Sequence, residues 1–277
     1  MKIVGAVTQH YGLRDELNGV LEDFKIRNID FRQTFPDGSE DIFIYGLSDK
    51  CLSAVLDMGK PVIGYPCLEE WLDTAEGRDK DYKKAVTSGR FRMIINFPGL
   101  GNLWHEMFPD FPVFYIPYAF NRKTLPIWNG SIKKVLVLNQ NVERLKSFTD
   151  LSLDEILESP YYCHSTTQDE AWLTKEEIYN FYADYGVMFY FNNHSYSLTW
   201  VEALTTGIPM VTFNKFEPGA LANVGTTADK IGFYCKKILQ DDALARQMHR
   251  RNLAIVDEFF NFDRVKKLWR KNIEDML

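Results

Sequence analysis

Apolar residues fall in short runs that alternate with stretches of helical spacing. The run Ile3-Val4-Gly5-Ala6-Val7 predicts a buried strand. From 14 to 27 the spacing turns helical, with Leu17, Val20, Leu21 and Phe24 on one face. Strands are predicted at 41–46, ending on Gly46, and at 61–65, 92–97 and 113–117. Between the first two of these, Ser48 is expected to cap a short helix that buries Leu52, Val55 and Leu56. The charged stretch 69–84 reads as a helix or surface loop.

At 121–131 the alternation breaks. Pro126, Asn129 and Gly130 mark a linker there. The pattern then restarts with a strand at 134–138 and a short helix and loop at 151–162. Thr174 with Glu177 three residues later is a capping box, opening a helix that runs to Gly186. Strand 187–191, helix 198–206 stopped by Gly207, and strand 208–213 follow. Three helices, near 226–240, 242–259 and 262–276, close the chain. Apolar strands alternating with helices predict α/β architecture with mostly parallel, helix-covered sheets. The break at the linker divides it into two halves: 1–122, 132–260, and a C-terminal helix at 261–277 expected to pack back on the first half.

Composition narrows the function classes. The 277 residues are 45% hydrophobic and 25% charged, an ordinary globular mix that excludes disordered and fibrous classes. A net charge of −6 excludes a generally basic nucleic-acid footprint. Cys51, Cys67, Cys163 and Cys235 show no CxxC spacing, so no zinc motif is present and reduced thiols are expected. No targeting segment or membrane span is visible, and a cytoplasmic location is expected. The cations at 246–271 read as charged faces of amphipathic helices, with Leu253, Val256, Phe259 and Phe260 as core positions between them.

Residues 187–214 hold the densest chemistry: strand, polar loop, helix start, glycine stop, strand. Ser195 and Ser197 flank a helix N-terminus, where unpaired backbone N–H groups and the positive end of the helix dipole suit a phosphate. Glu202 lies one turn past Leu198 on the same helix face, placed to accept hydroxyl hydrogen bonds. Ser195-Tyr196-Ser197-Leu198 and Glu202-Ala203-Leu204-Thr205-Thr206-Gly207-Ile208-Pro209-Met210-Val211 resemble the donor motif of GT-B glycosyltransferases. The likeness is to the large retaining family that uses nucleotide sugars, whose motif runs acid-Gly-Phe-Gly-Leu, then Glu-Ala and Gly-hydrophobic-Pro-Val.

The resemblance implies two Rossmann-like β/α/β domains facing across an interdomain cleft, and a donor bound by the second. Glu202 matches the residue that holds the nucleotide ribose. His194 stands where the family has its first Glu, which contacts the donor sugar. The segment 133–146 is similar to the family's Gly-Arg…Lys-Gly stretch: Gln140 takes the place of the Arg, Lys146 matches the Lys, and Arg144 is a nearby substitute for contacting the diphosphate. The implied catalytic set is His194, Lys146 and Glu202. The implied donor contacts are Ser195, Tyr196, Ser197, Leu198 and Thr199 with Glu202, Lys146, Arg144 and Gln140. A UDP-sugar is the expected donor, with no other cofactor. No metal is expected, because no DxD-type carboxylate pair sits in a suitable loop.

The acceptor is expected on the first half, at His10, Tyr11 and Gly12 after the first strand and at Tyr65 after a later one. The reaction implied is transfer of a sugar to an acceptor hydroxyl, with retention. The acceptor itself is a glycan, a small molecule or a modified DNA base. A transferase acting on hydroxylated DNA bases and a non-catalytic nucleotide or nucleotide-sugar binding module are the alternatives.

Overall fold

The computed structural model describes residues 1–8, 11–31, 33–46, 51–66, 79–137, 157–158, 174–190, 197–213 and 224–277. They form two compact units. One comprises Met1–Ala119 with Phe262–Leu277, the other 120–261 apart from three residues, 164–166. Each unit is built on a fully parallel sheet.

The first unit runs β1 (Ile3–Val7), α1 (Tyr11–Val20), β2 (Lys25–Ile29), β3 (Ile42–Tyr45), α2 (Leu52–Asp57), β4 (Val62–Gly64), α3 (Asp79–Thr87), β5 (Phe91–Ile95), α4 (Pro98–Met107) and β6 (Val113–Tyr115). Its strand order is β2-β1-β3-β4-β5-β6. The central strands are buried almost throughout, as a sheet covered on both faces requires.

Strand β2 corrects the helix expected over 14–27. That helix stops at Val20, and Lys25–Ile29 pairs in register with β1. The sequence Lys-Ile-Arg-Asn-Ile is polar because this is an edge strand with one flank in water. Within it, Arg27 forms ion pairs with Asp37 and with the fully buried Glu40. Hydrogen bonds from Ser39 and then from Arg27 hold the Asp37 carboxyl well below its usual range. A depressed carboxyl stabilises the fold above its unfolded value of 3.8 and loses that contribution as the pH falls. Asp37→Asn is therefore expected to flatten the acid side of the stability profile below about pH 4. Urea midpoints of both proteins across pH 2–5 check this, and parallel profiles refute it.

Helix α2 buries Leu52, Val55 and Leu56 as expected. Its N-cap position is Cys51, not Ser48, and no side chain caps it. Ser48 lies outside the described residues.

The second unit contains β7 (Ile132–Leu136), β8 (Leu157–Glu158), α5 (Lys175–Asp184), β9 (Tyr185–Tyr190), α6 (Leu198–Thr206), β10 (Met210–Phe213), β11 (Val224–Thr226), α7 (Ile231–Gln240) and α8 (Asp242–Phe259). The strand order is β11-β10-β9-β7-β8. Strands β8 and β11 were not expected from the sequence: one is two residues long, the other three, and neither carries an apolar run. The core joins Val135, Val187, Phe189 and Val211 of the sheet to Ile231, Cys235 and Ile238 of α7. Burial pushes the Cys235 thiol up to about 12, so it is inert packing.

The predicted linker is fixed to this unit. Backbone N–H groups of Trp128, Asn129 and Gly130 reach the last carbonyls of α5 and α6, and the Trp128 indole donates to the Tyr185 carbonyl at 2.7 Å. The final helix, α9 (Phe262–Glu274), belongs to the first unit. Lys266 binds Glu22, Arg92 donates to Asn272, and the buried Trp269 ring meets Tyr65 edge-on at 4.8 Å. Phe259, expected in the core, is 41% exposed, while the neighbouring Phe260 is buried against Trp200.

Candidate functional site

In the second unit the strand order reverses between β7 and β9. The chain proceeds from β7 outward to β8 on one side, and from β9 to β10 and β11 on the other. Ligands of open parallel sheets bind beyond the carboxyl ends of the strands at such a reversal. The segment with the donor motif leaves β9 at this edge.

Ser197 is the N-cap of α6. Its Oγ accepts from the Trp200 amide at 3.3 Å and shares a 2.6 Å hydrogen bond with the Tyr190 hydroxyl. Tyr190 ends β9, so this bond ties together the two ends of the segment that carries His194, Ser195 and Tyr196. Leu198 and Thr199 occupy the first turn of α6, at the positive end of the helix dipole. Gly207 closes the helix in the left-handed conformation, φ +87°. Behind it, His249 Nδ1 lies 2.9 Å from the Gly207 carbonyl, and the Asn252 amide donates to the Ile208 carbonyl at 2.6 Å. Helix α8 therefore fixes the turn that leads from α6 into β10.

Glu202 is completely buried. It is therefore not a solvated residue of the helix surface. Its Oε1 lies 3.6 Å from the Lys175 ammonium and 3.4 Å from the Tyr179 hydroxyl, which donates to it. Both partners come from α5. That helix is anchored by the predicted capping box: Thr174 accepts from the Glu177 amide, and Glu177 accepts from the Thr174 amide at 2.6 Å. The bond from the Thr174 amide and then one from the Thr174 hydroxyl, which donates to the Glu177 carboxylate at 2.8 Å, lower that carboxyl below its usual value. Lys175 and Tyr179 are the residues that sequence reasoning missed. Their signal was a Lys and a Tyr four apart on one helix face, directly after the cap.

Of the other predicted donor residues, His194, Ser195, Tyr196, Gln140, Arg144 and Lys146 lie outside the described residues.

In the first unit, the order reverses between β1 and β3. Gly12 lies in the first turn of α1, and Tyr11 is that helix's first residue; His10 lies outside the described residues. The chain is tight at this edge: a Cβ on Gly46 after β3 would stand 2.8 Å from Thr8 Oγ1. Arg14 Nε donates to the Thr8 carbonyl at 2.7 Å. Tyr65 follows β4, and its ring is fully buried between Tyr118 and Trp269 of the last helix. Among the described residues no helix is long and apolar enough to cross a membrane.

Two Rossmann-like parallel sheets, each with helices between its strands, make this the fold of GT-B glycosyltransferases. Among solved structures, the chain is similar over 99% of its length to Anabaena HepE (Alr3699), solved with UDP and glucose, at 10% identity and a TM-score of 0.68 over 100% of that chain. It is also similar to WaaG, a glycosyltransferase involved in lipopolysaccharide biosynthesis: 9% identity, TM-score 0.59, over 96% of this chain and 99% of that one. A mutant of S. aureus TarM, solved with fondaparinux, alpha-GlcNAc-glycerol and UDP, matches 84% of this chain and 55% of its own at 12% identity, TM-score 0.59. At these identities the likeness is one of fold. No protein-family model and no curated protein matches the sequence.

Proposed function

We propose that this protein is a glycosyltransferase that takes a sugar from a nucleotide-diphosphate donor, with UDP as the nucleotide. The observation that carries this reading is Glu202: an enclosed carboxylate one turn inside the helix that begins at the reversal of the second sheet. In this reading Glu202 accepts from the ribose hydroxyls. Binding exchanges part of its protein enclosure for those hydroxyls. The amides at 197–199, with Lys146 and Arg144, hold the diphosphate, Gln140 lies beside it, and His194 with Ser195 and Tyr196 faces the sugar. The first unit holds the acceptor around His10, Tyr11 and Gly12.

The chemistry needed is charge stabilisation. As the bond from the sugar to the diphosphate breaks, negative charge grows on the leaving oxygen. Oriented N–H groups, the dipole of α6 and the two cations are suited to stabilise that charge without a metal. Transfer with retention follows the family that the motif resembles. HepE, of the same fold, was solved with UDP-glucose, which agrees with a UDP-sugar donor.

Thermal unfolding against nucleoside diphosphates and nucleotide sugars tests the reading. A ligand at about 100 times its dissociation constant adds about 2.7 kcal/mol to the native state. UDP and a UDP-sugar are expected to raise the melting temperature, and sugar transfer to a glycan or small-molecule acceptor is expected to follow. Stabilisation without transfer to any acceptor or to water would favour a binding module. No stabilisation by any nucleotide would overturn the donor site.

A further inference from the structure

We propose that Lys175 is a positioning residue of the donor site, which orients Glu202 for the nucleotide's ribose diol and so makes the site select ribonucleotides over 2′-deoxyribonucleotides. The proposal rests on the donor role given to Glu202 above. Lys175 is the first residue of α5 and Glu202 lies in α6, both within the second unit.

Four contacts set the geometry. The Lys175 ammonium stands 3.6 Å from Glu202 Oε1. The Tyr179 hydroxyl donates to the same oxygen at 3.4 Å. The ammonium also lies over two aromatic faces, 5.7 Å from the ring centre of Phe120 and 5.7 Å from that of Tyr179. A surface lysine ordinarily samples many rotamers, and its ion pairs contribute little. This one is 30% exposed, seated between two rings and directed at a carboxylate that water does not reach. Cation–π attraction and the ion pair act on the same ammonium and hold it in one place.

The consequence falls on Glu202. A fully buried carboxylate is costly unless partners offset its lost hydration, and the Lys175 ammonium is one that does so. Two ties on Oε1 also fix the carboxylate plane, since rotation about the last side-chain torsion would move that oxygen away from both. A carboxylate held in one plane is matched to a vicinal diol, which offers two O–H donors at a fixed spacing. Removing the 2′-hydroxyl deletes one charge-assisted hydrogen bond, a loss of roughly 10- to 100-fold in affinity. A carboxylate free to turn would recover part of that loss with the remaining hydroxyl, and discrimination would fall.

The test is calorimetric titration of the full chain with UDP and with 2′-deoxy-UDP. The wild type is expected to prefer UDP by roughly 10- to 100-fold. Lys175→Met, which keeps length and loses charge, is expected to bind UDP more weakly and to prefer it by only about threefold or less, a cut of roughly 3- to 30-fold in the preference. Lys175→Arg, which restores the cation over the two rings, is expected to keep most of the preference. A purely structural role would change the melting temperature without changing this ratio. If Lys175→Met does not fold, Lys175→Gln carries the same comparison. Lys175→Met or Lys175→Gln retaining the wild-type ratio overturns the proposal. Glu202→Gln separates the two ideas. If it abolishes the ratio while the Lys175 variants keep it, only the positioning role fails. If it leaves UDP affinity and the ratio unchanged, the donor site itself is wrong.

Discussion

Glu202→Gln is expected to weaken UDP binding by roughly 10- to 100-fold while leaving the protein folded. The substitution preserves size and shape at a position with no exposed surface. It replaces a charged acceptor by a neutral amide, and a hydrogen bond to a charged group contributes about 1.5–3 kcal/mol. The cost to stability is expected to be smaller. Lys175, left without its carboxylate, is 30% exposed and can turn to water. The pair of measurements is a UDP titration and a thermal melt. Wild-type UDP affinity with a lowered melting temperature would make Glu202 one half of a structural ion pair and remove it from the donor site.

Gly207→Ala is expected to cost about 2–5 kcal/mol. Gly207 has φ +87°, where a side chain alone costs about 1–2 kcal/mol. The added carbon would also stand 2.3 Å from His249 Nδ1. That ring has little room to yield: it lies 2.9 Å from the Gly207 carbonyl and packs against Trp128 at 5.2 Å between ring centres. The strain falls at the end of the helix that carries Glu202, so weaker UDP binding is expected with the loss of stability. Urea unfolding followed by circular dichroism measures the effect. A midpoint within about 0.5 kcal/mol of wild type, the range of an ordinary surface change, would show that the turn adjusts at no cost and that α8 does not clamp it.

The β9–α6–β10 segment was legible in the sequence because every signal it needs is local. An apolar run, a serine at the cap, helical spacing, a glycine and a proline lie within 28 residues, and the structure shows strand, helix and strand in that order. The capping box before α5 was equally plain, because it is a bond between residues three apart. Strand β2 was not. Its polar residues fit an edge position, and nothing in Lys-Ile-Arg-Asn-Ile itself tells a strand from the end of a helix; pairing with β1 decides it.

The sequence by itself determined the alternation of strands and helices, hence two parallel sheets of Rossmann-like type, and it singled out the helix that carries Glu202. Spacing along the chain reports which face of an element is apolar, and that is enough for these features. It does not report which distant element covers that face. The tertiary structure alone decided that α9 joins the first unit, that its Trp269 buries Tyr65, and that Lys175 meets Glu202 across 27 residues of chain. Each of these depends on strand order and helix packing, and those are fixed by which buried surfaces fit together when the whole chain condenses.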